Sequence, residues 1–481
     1  MTTPSNLHVP GTPPPATAGA ARARGPGVLG LIGNTPLVRL ESFDAGPCEL
    51  YVKLENHNPG GSIKDRIGLA MIQAAEESGA LRPGMTIVEA TAGNTGLGLA
   101  LVAARKRYPL LLVIPDKMSQ EKIFHLRALG AEVRMTRSDV AKGHPDYYQD
   151  LAERLTREMD GRGYFVNQFA NPANPAAHEA TTGPEIFAQM DRRMDAMVCG
   201  VGSGVTITGL SRYFARVAPE VEMVLADPAG SVLAEYIKTG RVGQAGSWVV
   251  EGIGEDFVPS IADLSRVRSA YTIPDEESLR TARALLRDEG ILAGSSSGTL
   301  LAAALRYCRE QTRPKRVVTL VCDSGNKYLS KMFNDFWMRD QGFLPGSNEG
   351  DLRELISRRY DKGSVVAVAP TDTLLVAFAR LKLYDVSQLP VMDGGAIVGI
   401  LDESDLLHSV TRDEDAFRHP VRDYMTQRLE TVDPRTPMTA LQPIFDRGMV
   451  AIVVEKPAEG GRFLGLITRI DVLNYLRRRL K

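Results

Sequence analysis

The stretch Asn58-Pro-Gly-Gly-Ser62-Ile-Lys64-Asp65-Arg66 places a lysine, two glycines and a hydroxyl where an extended run gives way to a helical pattern. The apolar stripe Ile67, Ala70, Met71 and Ala74 predicts a helix behind it, and Ser62 with Asp65 has the spacing of a capping box. Lys64 then falls in the first helical turn, beside a glycine pair that lets a ligand approach the backbone. The N-terminal end of a helix carries partial positive charge, so a solvated ammonium sits better at the other end. A Schiff base with an aldehyde removes that conflict. Taken alone, the position also suits an exposed surface lysine.

Three further loops have ligand-shaped chemistry. Thr91-Ala-Gly93-Asn94-Thr95-Gly96 joins a strand pattern to a helical one, so successive backbone N–H groups can converge on an anion such as a carboxylate. An ordinary strand-to-helix turn is the alternative. Gly200-Val-Gly202-Ser203-Gly204-Val205-Thr206 repeats that arrangement with two hydroxyls, as a phosphate cradle requires. Its GxGxxG pattern is not completed, because Ile207 stands where a packing glycine is expected, which favours one phosphate over a pyrophosphate. Gly294-Ser-Ser296-Ser-Gly298 reads as a hydroxyl-rich loop or as a turn with a helix cap. His57, His125, His144 and His178 lack metal or nucleophile spacing, and neither GxSxG nor HExxH occurs, which excludes the common hydrolase and metalloenzyme patterns. No metal site is expected.

Positioning these loops requires alternating elements. Apolar runs at Glu49–Glu55, Thr86–Ala90, Leu110–Pro115, Glu132–Thr136, Ala196–Cys199, Met223–Asp227 and Val317–Cys322 predict strands. Between them, Gly96–Arg107, Ser119–Gly130, Thr206–Val217 and Ser278–Gly290 carry the 3.6-residue period of helices. Repeated βα units around mostly parallel sheet give an α/β fold, which binds ligands at the carboxyl ends of its strands.

The polar, turn-rich Pro345–Gly350 ends this alternation. Beyond it lies an internal repeat: Val368-Ala-Pro370 recurs as Val432-Asp-Pro434, and Gly399–Asp405 recurs as Gly465–Asp471, with offsets of 64 and 66 residues that the loop Pro457–Gly461 can absorb. The expected organisation is an arm at 1–27, a catalytic domain at 28–344, a linker at 345–360, and repeats at 361–415 and 416–481.

Composition narrows the partners. Lys plus Arg numbers 57 and Asp plus Glu 58, so the chain has no charge footprint for nucleic acid or a membrane surface. Small-molecule substrates fit better. Cys48, Cys199, Cys308 and Cys322 are far apart without a CxxC pair, which suggests buried thiols in a reducing, cytoplasmic setting. No apolar run reaches the ~20 residues of a membrane span. The arm is rich in Pro, Ala, Gly and Thr, carries Arg22 and Arg24 without acids, and reads as disordered; its prolines oppose a transit-peptide helix.

In this order the four loops resemble the fold-type II pyridoxal-phosphate (PLP) enzymes of the cysteine synthase and cystathionine β-synthase family. The likeness covers about residues 28–344 and includes Ile32-Gly-Asn-Thr-Pro36, Asp116-Lys-Met-Ser119, Asn174-Pro175 with His178, Val250-Glu-Gly-Ile-Gly254 and Glu289-Gly-Ile-Leu292. The resemblance implies that Lys64 carries PLP and later moves the Cα proton. It implies that Asn94 meets the ring oxygen, that Gly202, Ser203, Gly204, Val205 and Thr206 hold the phosphate, and that Ser296 meets the pyridine nitrogen. It also implies that Thr91, Gly93, Thr95, Gln168 and Gly252 bind the amino-acid substrate, and that the reaction is β-replacement. With serine and homocysteine the product is cystathionine; O-acetylserine with sulfide, the cysteine synthase reaction, is the alternative, and sulfide release a side activity.

Four positions depart from the eukaryotic pattern: Glu255 and Phe169 replace tyrosines, Ala92 a serine, and Val205 a glycine. They leave the leaving group open. The arm lacks the Cys and His arrangement of haem-binding members, so no haem is expected. The repeats resemble a tandem pair of CBS domains, a module that often binds adenosyl ligands. Thr468 and Asp471 match its ribose-binding residues, while Asp402 occupies the hydroxyl position in the first copy. A purely structural pair, or a nucleotide sensor on an inactive scaffold, are the other readings. A homodimer or higher homo-oligomer is expected.

Overall fold

The computed structural model describes residues 27–91, 93–116, 120–140, 143–345, 349–413, 415–456 and 461–479. The arm up to Pro26, Ala92, Lys117-Met-Ser119 and most of the loop 457–461 therefore lie outside the described residues. The chain divides into two compact units, one ending at Tyr328 and one beginning at Leu329.

Among the described residues the first unit contains ten strands: β1 (Leu37–Arg39), β2 (Glu49–Leu54), β3 (Thr86–Ala90), β4 (Leu110–Pro115), β5 (Glu132–Thr136), β6 (Gly163–Phe165), β7 (Ala196–Gly200), β8 (Glu222–Pro228), β9 (Val267–Ile273) and β10 (Arg316–Val321). They form two sheets, ordered β1-β2-β10-β7-β8-β9 and β5-β4-β3-β6. Only the β1–β2 pair is antiparallel; every other pairing in these sheets is parallel. This is the expected α/β architecture. The three-residue β1 and β6 are too short to show a pattern in sequence, and β9 is interrupted by Arg268, Ser269 and Thr272 rather than forming an apolar run.

Each sheet has its own core. Val52, Val198, Leu225, Leu300 and Val317 pack around the first, whereas Ile67, Met71, Ile87, Leu97 and Leu112 pack around the second. Two predicted helices begin earlier than their apolar periods indicate, at Asn94 and Asp275, because polar residues occupy their first turns. Of the two readings of Gly294–Gly298, the turn with a helix cap is the one formed: Gly294 is the N-cap and Ser295 opens the helix Ser295–Arg309. The Gly298 backbone presses so closely on Ser278 that a Cβ there would stand 2.0 Å from the Ser278 carbonyl oxygen.

The second unit realises the repeat. β11 (Gln388–Asp393) and β12 (Ala396–Asp402) form one antiparallel pair, β14 (Ala451–Glu455) and β15 (Arg462–Ile467) another, each with a register shift in its first strand. β13 (Thr431–Val432) runs parallel to β14, as the Val368–Val391 bridge does in the first copy. Each copy encloses a separate apolar cluster. Among the described residues no helix is long and apolar enough to cross a membrane.

Candidate active site

Lys64 is the first residue of the helix Lys64–Glu77, after a loop stitched to the segment following β10: Ile63 N donates to Cys322 O at 2.9 Å and Ser324 N to Gly61 O at 3.0 Å. The expected capping box does not form. Ile63 takes the cap position, Lys64 N lies 3.3 Å from Ser62 Oγ, and the Asp65 carboxylate instead accepts from Gly60 N at 2.5 Å. Arg66 is also engaged, donating to Glu55 Oε2 at 2.7 Å and to Glu185 Oε1 at 2.8 Å. Burial opposes ionisation of Glu185, but Arg66 and Lys53 outweigh it and hold the carboxyl at about 2. With both neighbours so occupied, Lys64 alone projects without a hydrogen-bond partner for Nζ among the described residues. Desolvation lowers its pKa, against the opposing pull of Cys322 and Asp323. A lysine nucleophile or base needs such a depressed value.

The turn after β3 leads into the helix Asn94–Lys106, with Gly93 at its cap and Thr91 buried. Thr95 Oγ1 donates to Gln168 Oε1 at 2.7 Å, and Gln168 Nε2 to Ala90 O at 3.3 Å. The structure thus gathers Thr91, Gly93, Thr95 and Gln168 at the carboxyl end of β3. Glu89 underpins them, accepting from Ala90 N at 2.9 Å and Gln168 N at 3.2 Å; burial raises its carboxyl to about 8 despite those bonds. Gly252 lies elsewhere, against Gly202, whose added Cβ would stand 2.6 Å from the Gly252 carbonyl oxygen.

At the end of β7, Gly204 adopts φ +84° and leads into the helix Val205–Val217, while Ser203 and Thr206 are buried. A Cβ on Gly204 would meet Ala262 Cβ at 2.3 Å. The first N–H groups of a helix have no intrahelical acceptor, so this tight glycine cradle fits a phosphate. Thr206 Oγ1 is hydrogen-bonded to His178 Nε2 at 3.2 Å, and His178 Nδ1 to Thr182 Oγ1 at 3.0 Å. His178 opens a π-helical turn, His178–Thr182. Burial first, then the Lys64 and Arg66 charges, keep its imidazole neutral, which also locates Lys64 near this cradle.

The Ser295–Arg309 helix supplies the fourth element. Ser295 Oγ accepts from Glu251 N at 3.0 Å, Ser297 Oγ from Cys322 N at 3.0 Å, and Ser296 hydrogen-bonds the Cys322 thiol. Burial pushes that thiol up to about 12, so it stays neutral.

The segment Asp323–Tyr328, which sequence reasoning missed, joins these loops. Asp323 Oδ2 accepts from Asn94 Nδ2 at 2.8 Å and from the Tyr328 hydroxyl at 2.7 Å. Lys327 Nζ donates to Asn94 Oδ1 at 2.8 Å and Gly61 O at 3.1 Å. Lys122, 4.8 Å from the Tyr328 ring centroid, donates to Glu251 at 2.5 Å. The signal was available: a polar turn at the carboxyl end of a predicted strand.

In the second unit Thr468 and Asp471 are bonded to each other: Thr468 N and Oγ1 donate to Asp471 Oδ2 at 2.8 and 2.5 Å, and Ser357 donates to Oδ1. In the first copy Asp402 forms a capping box with Asp405. No group of three His, Cys, Asp or Glu suited to a metal occurs among the described residues.

Comparison with known proteins agrees with this layout. Residues 28–323 match the family described as pyridoxal-phosphate dependent enzyme, and residues 353–412 and 421–478 each match the CBS domain. A cystathionine β-synthase from Dictyostelium discoideum is 35% identical over 93% of this chain and 92% of its own length. A cysteine synthase 1 from Neurospora crassa is 41% identical over 66% of this chain and 86% of its own. The crystal structure of a hydrogen sulfide-producing enzyme from Fusobacterium nucleatum aligns with TM-score 0.58 and 36% identity, over 64% of this chain and all of that one. With those matches over the two parts of the chain, it belongs to the cystathionine β-synthase family of fold-type II PLP-dependent enzymes carrying a tandem CBS-domain pair.

Proposed function

We propose that this enzyme catalyses β-replacement on L-serine, with the thiol of L-homocysteine as incoming nucleophile and L-cystathionine as product. The observation that carries the reading is the desolvated, unpartnered Lys64 amine, next to one cradle suited to a phosphate and one suited to a carboxylate. Bound at Lys64, PLP supplies an electron sink for the carbanion formed at Cα. In this reading the Gly202–Thr206 cradle holds the phosphate, Asn94 donates to the ring oxygen and the Ser296 hydroxyl faces the pyridine nitrogen. A hydroxyl there leaves that nitrogen unprotonated, which suits β-elimination. The substrate carboxylate sits on the Thr91, Gly93 and Thr95 turn beside Gln168, and Gly252, packed against Gly202, contributes to the substrate site. Lys64, freed when the substrate amine displaces it and with its pKa lowered by burial, takes the Cα proton and returns it after the thiol has added, the serine hydroxyl leaving as water with the proton the thiol gives up.

The names of the cystathionine β-synthase relatives support serine as substrate. The cysteine synthase relative, together with Glu255 and Phe169, favours a second reading in which O-acetylserine and sulfide react. Turnover of both pairs by one preparation decides: faster cysteine formation overturns the first choice. Sulfide release from cysteine plus homocysteine is proposed as a side activity, supported by the likeness to the hydrogen sulfide-producing enzyme of Fusobacterium nucleatum. A chain that binds adenosyl compounds and turns over neither pair would be a sensor on an inactive scaffold. We further infer an adenosyl site at Thr468 and Asp471, a homo-oligomer, and no haem; calorimetry with S-adenosylmethionine, light scattering, and the absence of a Soret band test these in turn.

A further inference from the structure

We propose that Lys327 is a positioning residue, which locks the side-chain amide of Asn94 so that it presents an N–H, and not its carbonyl, to the cofactor ring. This rests on the reading of the site above. Lys327 is only 7% exposed, yet its Nζ meets two neutral acceptors, Asn94 Oδ1 at 2.8 Å and Gly61 O at 3.1 Å. No carboxylate stands within ion-pair distance of it among the described residues, although Asp323 and Asp65 lie near enough to attract its charge. A buried ammonium kept only for stability belongs beside an acid, because desolvating a cation is costly. Here the cation is spent on orienting an amide.

The orientation follows from chemistry. An ammonium has donors only and a carboxylate acceptors only. With Lys327 on Oδ1 and Asp323 on Nδ2, at 2.8 Å each, flipping the amide would turn its N–H groups towards the ammonium and its carbonyl towards the carboxylate. Both contacts would repel. Asp323 is itself fixed: its second donor is the Tyr328 hydroxyl at 2.7 Å, and its carbonyl accepts from Gly294 N at 3.0 Å. Nδ2 carries two N–H groups and gives one to Asp323, so the other remains for a ring oxygen. The contact with Gly61 ties the same cation to the loop that presents Lys64.

The test compares the full-length chain with Lys327→Met, Lys327→Arg and Asn94→Ala. Three quantities are read: the ratio of visible to near-ultraviolet cofactor absorbance, the PLP dissociation constant of the apo chain, and the unfolding temperature. Lys327→Met is expected to shift the absorbance ratio in the direction of Asn94→Ala and to weaken PLP about tenfold, and Lys327→Arg to restore most of both. A folded Lys327→Met with unchanged ratio and affinity, where Asn94→Ala alters them, overturns the proposal. Should Lys327→Met not fold, Asp323→Asn decides, since it removes the other charge that opposes the flip; an unshifted ratio there also overturns it. A wild-type chain that takes up no PLP defeats the reading of the site itself.

Discussion

Gly98 lies directly under Lys64: a Cβ at position 98 would stand 2.5 Å from the Lys64 carbonyl oxygen. On the opposing helix, Gly68 is equally close to Gly98, with an added Cβ 2.7 Å from its carbonyl carbon. Two glycines thereby let the Lys64–Glu77 and Asn94–Lys106 helices touch backbone to backbone, which brings the turn bearing Lys64 against the helix that opens at Asn94. Gly98→Ala is therefore expected to destabilise by about 1–3 kcal/mol through overpacking and to lower PLP occupancy, as urea unfolding and absorbance will read. An alanine variant with wild-type occupancy refutes this.

Asp65 gives a pH signature. Burial raises its carboxyl to about 6, against the Gly60 hydrogen bond and the Lys327 charge, and its Oδ1 has no partner. A raised folded value means that the contribution to stability is fully present below the unfolded value of 3.8 and is lost as pH rises through 6. Asp65→Asn keeps an acceptor for Gly60 N without the buried charge. It should match the wild type near pH 4 and be more stable above pH 6, by at most about 3 kcal/mol. Urea midpoints at both pH values check this; a difference independent of pH would contradict it.

Thr206 and His178 act at the other cradle. Burial holds His178 well below the ordinary imidazole range, so near neutral pH its bond to Thr206 joins two uncharged groups. Thr206→Val is expected to weaken PLP, and inorganic phosphate as a competitor, about tenfold, with little change in the serine KM once the enzyme is saturated. An equal rise in serine KM would place Thr206 at the substrate instead.

The two CBS copies should respond differently. Asp402→Ala removes a helix cap and should cost about 1 kcal/mol without affecting adenosyl binding. Asp471→Ala strands three donors, Thr468 N, Thr468 Oγ1 and the Ser357 hydroxyl, and should cost about 1–3 kcal/mol and abolish adenosyl binding. Thermal unfolding and calorimetry on both variants test the asymmetry.

The sequence by itself determined the alternation of elements and where the chemistry is carried. β3 and β4 fall on the runs Thr86–Ala90 and Leu110–Pro115, since buried parallel strands are near-continuous apolar stretches, and the largely exposed edge strand β5 falls on Glu132–Thr136. The repeat was legible because each copy encodes the same hairpin. Polar starts were not: the apolar period cannot see a first turn made of Asn, Asp or Ser, so Ser295–Ser297 read equally as a loop or as a capped turn. The partners of the site were decided only in three dimensions. Lys327 lies 233 residues from Asn94, and Glu89 is 79 from Gln168. No local period encodes such pairs; the first exists because the segments after β3 and β10 meet, the second because β6 runs parallel beside β3. Burial there lowers the Lys64 pKa and leaves its amine without a partner among the described residues, a state its immediate neighbours in the sequence do not specify.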